Sequence, residues 1–523
     1  MNEKRERWMT GETNLLKSNK ILPVEELADI VASLRNAGKV VVHCHGVFDL
    51  MHIGHIRHFE QAKKLGDVLI VTVTPDRYVN KGPNRPVFTE AHRAWAIGAL
   101  ACVDYVAVNK WPTGIDTIRL VKPSIFVKGA EYRDRAKDRT GAITAEEEAV
   151  IEVGGTLAFT DDDIVFSSSN LLNRHFGVFP EETERFLASF LTKHTPDEVL
   201  SVLDHARELK VLVVGETIID DYQYCETLGK TGKEPVLAAQ YVSGERFPGG
   251  ILAVANHVAS VADDVTMLTL LGQIDSEEDF VRAHLKPQVE AIFFYLENAP
   301  TIVKRRFLES YPFQKLFEVY MMGGMDQLGS QSASLCRKLT EILPRFDVVI
   351  VADYGHGLVS PDVSEVLCRK AKFLAINTQV NAANFGFNTV SKYSRADFIS
   401  ISEREIRLEM RSPQGNLEDI VRDVANRLSC ECVLITQGMQ GCLSYSRDEG
   451  FCRVPALTGR VVDRVGAGDA VLAITALCAA QKTPMEVLGL IGSSVGAQAV
   501  GIVGNRTSID SVALARSIEC LLK

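Results

Sequence analysis

Residues 40–55 read Val-Val-Val-His-Cys-His-Gly-Val-Phe-Asp-Leu-Met-His-Ile-Gly-His, and their order decides the fold of the first part of the chain. The apolar run Val40–Cys44 reads as a buried strand and Gly46 as a turn. A helix then begins near Gly54, with Ile56, Phe59 and Leu65 on one face and Gly66 as its stop. A second strand, Val68–Val73, follows at once. This order predicts a parallel sheet with right-handed crossovers. Further strands are expected at Tyr105–Val108, Ile125–Lys128 and Thr156–Phe159. Ahead of them, Leu22, Leu27, Ile30, Val31 and Leu34 predict a short amphipathic helix ended by Gly38.

A strand that turns through glycine into a helix offers free backbone N–H groups and the positive end of a dipole. His52 and His55 bracket Gly54 at that point, so their imidazoles can hydrogen-bond triphosphate oxygens as pyrophosphate leaves. Gly54 lets the phosphates come close to the backbone. Zinc is the competing reading, because His43, His45, His52, His55 and His58 cluster in sequence. No cysteine pair or HExxH accompanies them, which favours the phosphate reading. Asp49 reads either as part of the nucleotide site or as a cap on the helix.

From Pro180 to Leu209 the chain is charged and helix-patterned, with Thr195-Pro196-Asp197-Glu198 as a helix start. A second strand-first unit opens at Val211–Gly215. Alternation over Tyr222–Val242, interrupted by Gly229, Gly232 and Pro235, predicts short strands projecting from the body. Strands are expected again at Val265–Thr269, Val348–Ala352, Phe373–Asn377, Phe398–Ile401 and Val433–Thr436, so this part too is α/β. Near its end stands Asp463-Arg464-Val465-Gly466-Ala467-Gly468-Asp469, followed by the apolar run Ala470–Ala480. Gly466, Ala467 and Gly468 predict an anion hole for a transferring phosphoryl group. Asp469 is placed either as the base for an attacking hydroxyl or as a plain helix cap.

With 523 residues the chain is too long for one core, and 46% hydrophobic with 24% charged residues is ordinary for globular protein. A net charge of −10 argues against a nucleic-acid binder. Eleven cysteines without a CxxC pair read as reduced thiols. The charged first twenty residues lack the apolar core of a secretory signal, so a cytoplasmic location with no membrane partner is expected. The uncharged segment Val487–Gly504 reads as a buried helix, being rich in Gly, Ser and Ala and carrying Gln498.

The first motif resembles the HxGH signature of the nucleotidyltransferase superfamily, over about Val40 to Phe176. Supporting stretches are Lys-Leu-Gly-Asp at 64–67, Arg-Pro-Val at 85–87, Glu90 with Arg93, Val-Lys-Gly at 127–129 and Ser167–Asn170. The resemblance implies that His52, His55 and Lys81 contact the phosphates and that the nucleotide lies near Gly46, Phe48, Asp49 and Gly54. It places Lys128 and Ser168 near phosphates or base, although Lys81 and Lys128 taken alone read equally as surface lysines. Where cytidylyltransferases carry Arg-Thr-x-Gly-Ile-Ser, this chain has Ile-Val-Phe-Ser-Ser-Ser, which leaves ATP and CTP open.

From Val211 onward the chain resembles the ribokinase-type sugar kinases, especially the kinase domain of bifunctional ADP-heptose synthases. The carrying stretches are Val-Leu-Val-Val-Gly at 211–215, Pro-Gly-Gly at 248–250, Pro-Thr-Ile-Val-Lys at 300–304, Ala-Asp-Tyr-Gly-His-Gly at 352–357 and Gly-Ala-Gly-Asp at 466–469. By resemblance Asp220, Gly249, Gly250 and Lys304 hold the sugar, Asp469 is the base, Thr436, Gly438 and Gly441 lie near ATP, and Glu405 belongs to a magnesium motif. Alone, Asp220 reads equally as a turn residue and Lys304 as a surface charge. Several positions depart from the pattern. Ala253 stands for the usual Asn, with Asn256 nearby; Glu216 and Asn377 stand for Asp; Ser402 stands for Asn, and Val465 for a small hydroxyl residue. The two modules are also in reversed order.

The expected architecture is thus an N-terminal helical extension (1–38), a Rossmann-like nucleotidyltransferase domain (39–178), a helical linker (179–209) and a ribokinase-like α/β sandwich with a small β lid (210–523). The expected function is a bifunctional sugar or sugar-phosphate kinase and nucleotidyltransferase using Mg²⁺, ATP and a second NTP, dimeric through the kinase domain. The alternative is a nucleotidyltransferase with a catalytically silent kinase-like half.

Overall fold

The apolar run after Lys39 forms strand β1 (Val41–Gly46), two residues longer at its end than the sequence suggests, in a computed structural model. The structure describes residues 19–79, 85–133, 142–160, 179–311, 313–323, 331–384, 386–458 and 461–523. The chain forms two compact units, one running to Pro180 and one over Glu181–Ile518.

In the first unit β2 (Val68–Val73), β3 (Tyr105–Val108), β4 (Ile125–Lys128) and β5 (Thr156–Phe159) fall on the expected residues. Within the described residues they make a parallel sheet in the order β3-β2-β1-β4-β5. Alternation along β1 explains how both faces are covered. Val42 and Cys44 pack with Phe59, Leu69, Val71 and Ile97, whereas Val41 packs with Val24, Leu27 and Val31 of the leading helix. The strand order reverses between β1 and β4, and a doubly wound sheet opens its ligand crevice at such a point, at the carboxyl ends of its strands. His45, Lys128 and the histidine motif all sit at that end.

The second unit begins with helices Glu181–Phe190 and Pro196–His205. The latter is closed by a capping box between Thr195 and Glu198, where the sequence placed a helix start. Its strands are β6 (Lys210–Gly215), β7 (Thr217–Lys230), β8 (Leu237–Gly250), β9 (Asp264–Ile274), β10 (Val289–Pro300), β11 (Ile302–Glu309), β12 (Gln314–Met321), β13 (Val348–Asp353), β14 (Leu374–Thr378), β15 (Phe398–Ser402), β16 (Cys432–Thr436), β17 (Cys442–Ser446) and β18 (Gly450–Val454). The main sheet runs β10-β9-β6-β13-β14-β15-β16-β17-β18, parallel through β16 and antiparallel thereafter. A smaller sheet, β12-β11-β7-β8, forms the lid.

The alternating stretch read as short strands is instead most of two long paired ones, β7 and β8. Each is buried at the end nearer the body and exposed at the end that projects. One face of the main sheet packs Leu212, Val214, Val349, Val351, Ile376 and Val433 into a single core. Helices Ala467–Ala480 and Met485–Ala499 are buried along most of their lengths, so their apolar character belongs to a protein interior. Among the described residues no helix is long and apolar enough to cross a membrane.

Candidate active sites

In the first unit the helix Ile53–Lys63 is capped by His52, not Asp49: His52 is extended, and its Nδ1 accepts from Gly54 N at 3.1 Å. A neutral His52 ring therefore carries its proton on Nε2 and can donate it to an anion. His55 stacks on His52 with centroids 3.9 Å apart and meets the edge of Phe48 at 5.4 Å. The motif residues thus come together at one helix N-terminus. Phe48 adopts a positive φ of 49° and lies across Gly46, where a Cβ would meet its ring at 2.9 Å.

Asp49 has a third role that neither reading of the sequence gave. Its carboxylate accepts from Val87 N at 2.8 Å and Phe88 N at 3.0 Å, tying a distant loop to the motif. Buried Arg93 does the same work nearby, donating to the carbonyls of Val47, Thr74 and Phe88 and pairing with Asp76. Lys128 lies at the end of β4 and pairs with Glu146 at 2.7 Å, both largely buried. His43 and His45 share the hydroxyl of Thr72 at 2.7 and 2.9 Å, and His58 meets Thr160 at 3.0 Å. Burial, and secondarily the Lys128 charge, keeps all three neutral: His43 is held at about 3, His58 at about 4 and His45 well below its ordinary value. Lys81 and Ser168 lie outside the described residues.

In the second unit, Gly466 turns the chain into the helix Ala467–Ala480 with φ of 80°, and a Cβ there would strike Asn505 Oδ1 at 2.0 Å. The backbone of Gly466–Gly468 and the side chain of Asp469 are thereby brought to one helix start. Asp469 Oδ1 accepts the Tyr354 hydroxyl at 2.9 Å. Burial is the main cause that lifts this carboxyl to about 7; Asp220 and Glu405 add to the rise, while the Tyr354 bond and Lys304 oppose it. Asp463, at the head of the motif, accepts from Tyr222 at 2.7 Å, Lys315 at 2.7 Å and Gly504 N at 3.0 Å, fixing the loop from outside.

Buried Asp220 pairs with Arg306 and lies opposite Lys304 in the β7–β11 register. Gly249 leaves the space that Asp220 needs, since a Cβ there would lie 2.3 Å from its Oδ2. Lys304 is buried beneath the Tyr320 ring at 5.1 Å, and burial lowers its pKa. Asn256 does not replace the missing sugar-site Asn at 253. Its amide is spent on His284 O at 2.8 Å and Lys286 N at 2.9 Å. Thr436 lines an open groove of ≈ 790 Å³ with Ser402, Arg404, Arg407, Arg411 and Gln437. Gly438 and Gly441 follow at the turn into β17.

Ser402 and Glu405 form a capping box at the start of Glu403–Glu409. Glu405 accepts from Ser402 N and Oγ, both at 2.8 Å, and from Val380 N at 3.2 Å, and burial raises its pKa. Among the described residues no group of three His, Cys, Asp or Glu side chains is placed to hold a metal. Most of the accepting capacity of Glu405 is thus used within the protein.

Sequence reasoning quoted Tyr354, Asp463 and Arg93 within motifs without giving them roles, named Glu216 only as a departure, and missed Arg306 and Glu146. Each acts through a partner distant in sequence. The available signal was their position inside or beside quoted motifs, as with Arg306 two residues after Lys304.

A ribokinase-like sandwich with a β lid, and a glycine turn ahead of a half-buried carboxylate, defines the class of the larger unit as a carbohydrate-kinase fold. The chain belongs to the pfkB family of carbohydrate kinases, whose model matches residues 208–511, more than half its length. A cytidylyltransferase-like model matches residues 43–174. The bifunctional protein HldE of Aliarcobacter butzleri strain RM4018 is 38% identical over 141 residues, 26% of this chain and 29% of the relative. HldE of Helicobacter pylori strain G27 is 41% identical over 137 residues, 26% of this chain and 28% of the relative. These matches fall in the N-terminal part, and the chain spans under a third of the length of either relative. Escherichia coli phosphofructokinase-2 in complex with potassium is 13% identical with a TM-score of 0.50, covering 60% of this chain and 100% of that one, which shows the fold.

Proposed function

We propose that the chain is a bifunctional enzyme of nucleotide-activated sugar biosynthesis. The pfkB half would phosphorylate a hydroxyl of a sugar or sugar phosphate with ATP. The cytidylyltransferase-like half would join an NTP, ATP or CTP, to a sugar phosphate with release of pyrophosphate. The observation that carries the reading is the pairing in one chain of two helix-start anion sites with different chemistry: the stacked His52–His55 pair and the half-buried Asp469.

In the transferase step the substrate phosphate attacks the α-phosphorus, and no protein nucleophile is needed. His52 donates from Nε2, and the positive end of the helix dipole offsets the departing charge. Lys128, held by Glu146, supplies a fixed positive charge at the crevice between β1 and β4. In the kinase step Asp469 takes the proton of the acceptor hydroxyl while the 466–468 backbone stabilises the moving phosphoryl group. Glu405 would help to hold Mg²⁺, which when bound would neutralise charge on the phosphate oxygens.

Asp220, Gly249, Gly250 and Lys304 are proposed to bind the sugar, and Thr436, Gly438 and Gly441 to flank ATP. We further propose a cytoplasmic homodimer formed through the kinase half. The deciding experiment is a screen of NTPs against sugar phosphates for pyrophosphate release, with ADP formation from ATP and a sugar panel measured in parallel. Pyrophosphate release without ADP from any acceptor would favour the alternative of a silent kinase-like half.

A further inference from the structure

The geometry points to Tyr354 as the positioning residue of the phosphoryl-transfer step: its hydroxyl, bound to Asp469 Oδ1 at 2.9 Å, fixes the carboxylate so that Oδ2 is presented to the acceptor hydroxyl. The inference rests on the kinase reading above. It concerns a residue that neither the glycine motif nor the sugar-site positions include.

The backbone that carries the phenol is held by hydrogen bonds as well as by packing. Tyr354 is 2% exposed and follows the last residue of β13. Its N–H donates to Glu216 at 3.0 Å, and the N–H groups of His356 and Leu358 donate to the same carboxylate at 3.0 and 3.3 Å. Its carbonyl accepts from Asn381 at 2.7 Å and Asn384 at 3.2 Å. A loop fixed at both ends of one peptide therefore aims one hydroxyl at one carboxylate oxygen. Glu216, where the resemblance leads one to expect Asp, supplies the extra reach that gathers three backbone donors.

A carboxylate on the first turn of a helix can rotate and offer either oxygen. With Oδ1 taken by Tyr354, Oδ2 is the oxygen left to act as base. In the step, the acceptor oxygen bonds to the γ-phosphorus of ATP as the bond from that phosphorus to the β,γ-bridging oxygen breaks. ADP leaves with that electron pair, and the hydroxyl proton passes to Oδ2. The Tyr354 proton stays on its own oxygen, because burial and the Asp469 charge push its pKa well above the ordinary value.

The bond also governs when the base is charged. Asp220 on β7 and Glu405 raise the pKa of Asp469, and Lys304 on β11 lowers it. Glu216 faces Tyr354 and in turn Asp353, which is held by Lys392 and Tyr393. His356 is buried in the same loop and kept neutral at about 4, first by burial and then by Lys304. Removing the phenol hydroxyl takes away a hydrogen bond to the ionised form and leaves the opposing carboxylates in place.

The test is Tyr354→Phe in the full chain, assayed by ADP formation across pH with the acceptor that the wild type uses. The acidic limb of kcat/KM should move up by about one pH unit, an approximately tenfold loss below it that recovers in alkali, with KM for ATP unchanged. An unmoved limb, whatever the loss of rate, overturns the assignment. 3-Fluorotyrosine at position 354 keeps the shape with a stronger donor. It should move the limb down, and it decides the matter if the Phe variant does not fold. If the wild type forms no ADP with any acceptor, the kinase reading fails separately. The same titration is then followed without turnover, as the pH dependence of the Tm difference between Asp469→Asn and its parent. Removing the Tyr354 hydroxyl must shift that dependence upward, and no shift overturns the assignment.

Discussion

Asp469→Asn keeps the shape of the side chain and removes its capacity to take a proton. Sugar phosphorylation should fall by about 10²–10⁴-fold while NTP–pyrophosphate exchange continues unchanged, as measured by ADP and pyrophosphate release. In the wild type kcat/KM should rise as pH passes through about 7, because the base works only when ionised. The same group sets a stability trend of the less usual sign. Its folded pKa lies above the unfolded value, so ionisation favours the unfolded chain, and stability is lost as pH climbs from about 4 to 7. Asp469→Asn should therefore raise stability above pH 7, by an amount on the order of 1 kcal/mol seen as a higher Tm, and leave it unchanged in acid. Asp469, His52 and His55 were legible as candidates because each sits inside its own local motif. Tyr354 was not, since the carboxylate that gives it a role lies 115 positions away. Asp49 was legible as a candidate within the motif but not as the tie to residues 87–88, which depends on a loop folding back over the motif.

Helix starts are the elements on which both sites are built, and they tolerate little change. Gly466→Ala must place a Cβ on Asn505 and hold a positive φ, so kinase activity should drop steeply. Stability should fall by about 1 kcal/mol or more, read by urea denaturation. Thr195→Ala removes a capping box remote from the chemistry; it should cost about 1 kcal/mol in the same assay with both activities intact. Strands β2 to β5 could be read to the residue because short apolar runs end at charged or turn residues. Strands β11 and β12 could not, for they lie in the lid, where half-exposed positions alternate charged and apolar residues without a buried run. Strands β17 and β18 escaped for a related reason. They extend a parallel sheet as an antiparallel pair, so no helix announces them.

At the scale of the whole molecule, two units with separate anion sites should be separable by mutation. His55→Ala should abolish nucleotidyl transfer and spare phosphorylation, the reverse of Asp469→Asn, and equal loss of both activities in either variant would refute independent sites. The two units also differ in how their sheets close. In the first, the longest reach is from β1 to β4, Val42 opposite Ile125. In the second, β6 pairs on one side with β9 and on the other with β13, which comes after the whole lid. A chain emerging from the ribosome can therefore complete its first sheet early, while β6 keeps one edge open until Val348–Asp353 has been made. During that interval the growing polypeptide exposes an unpaired apolar strand edge, the kind that invites association between nascent chains. The slow and vulnerable stage of its biosynthesis should thus fall between synthesis of the lid and arrival of β13, a window set by strand order alone.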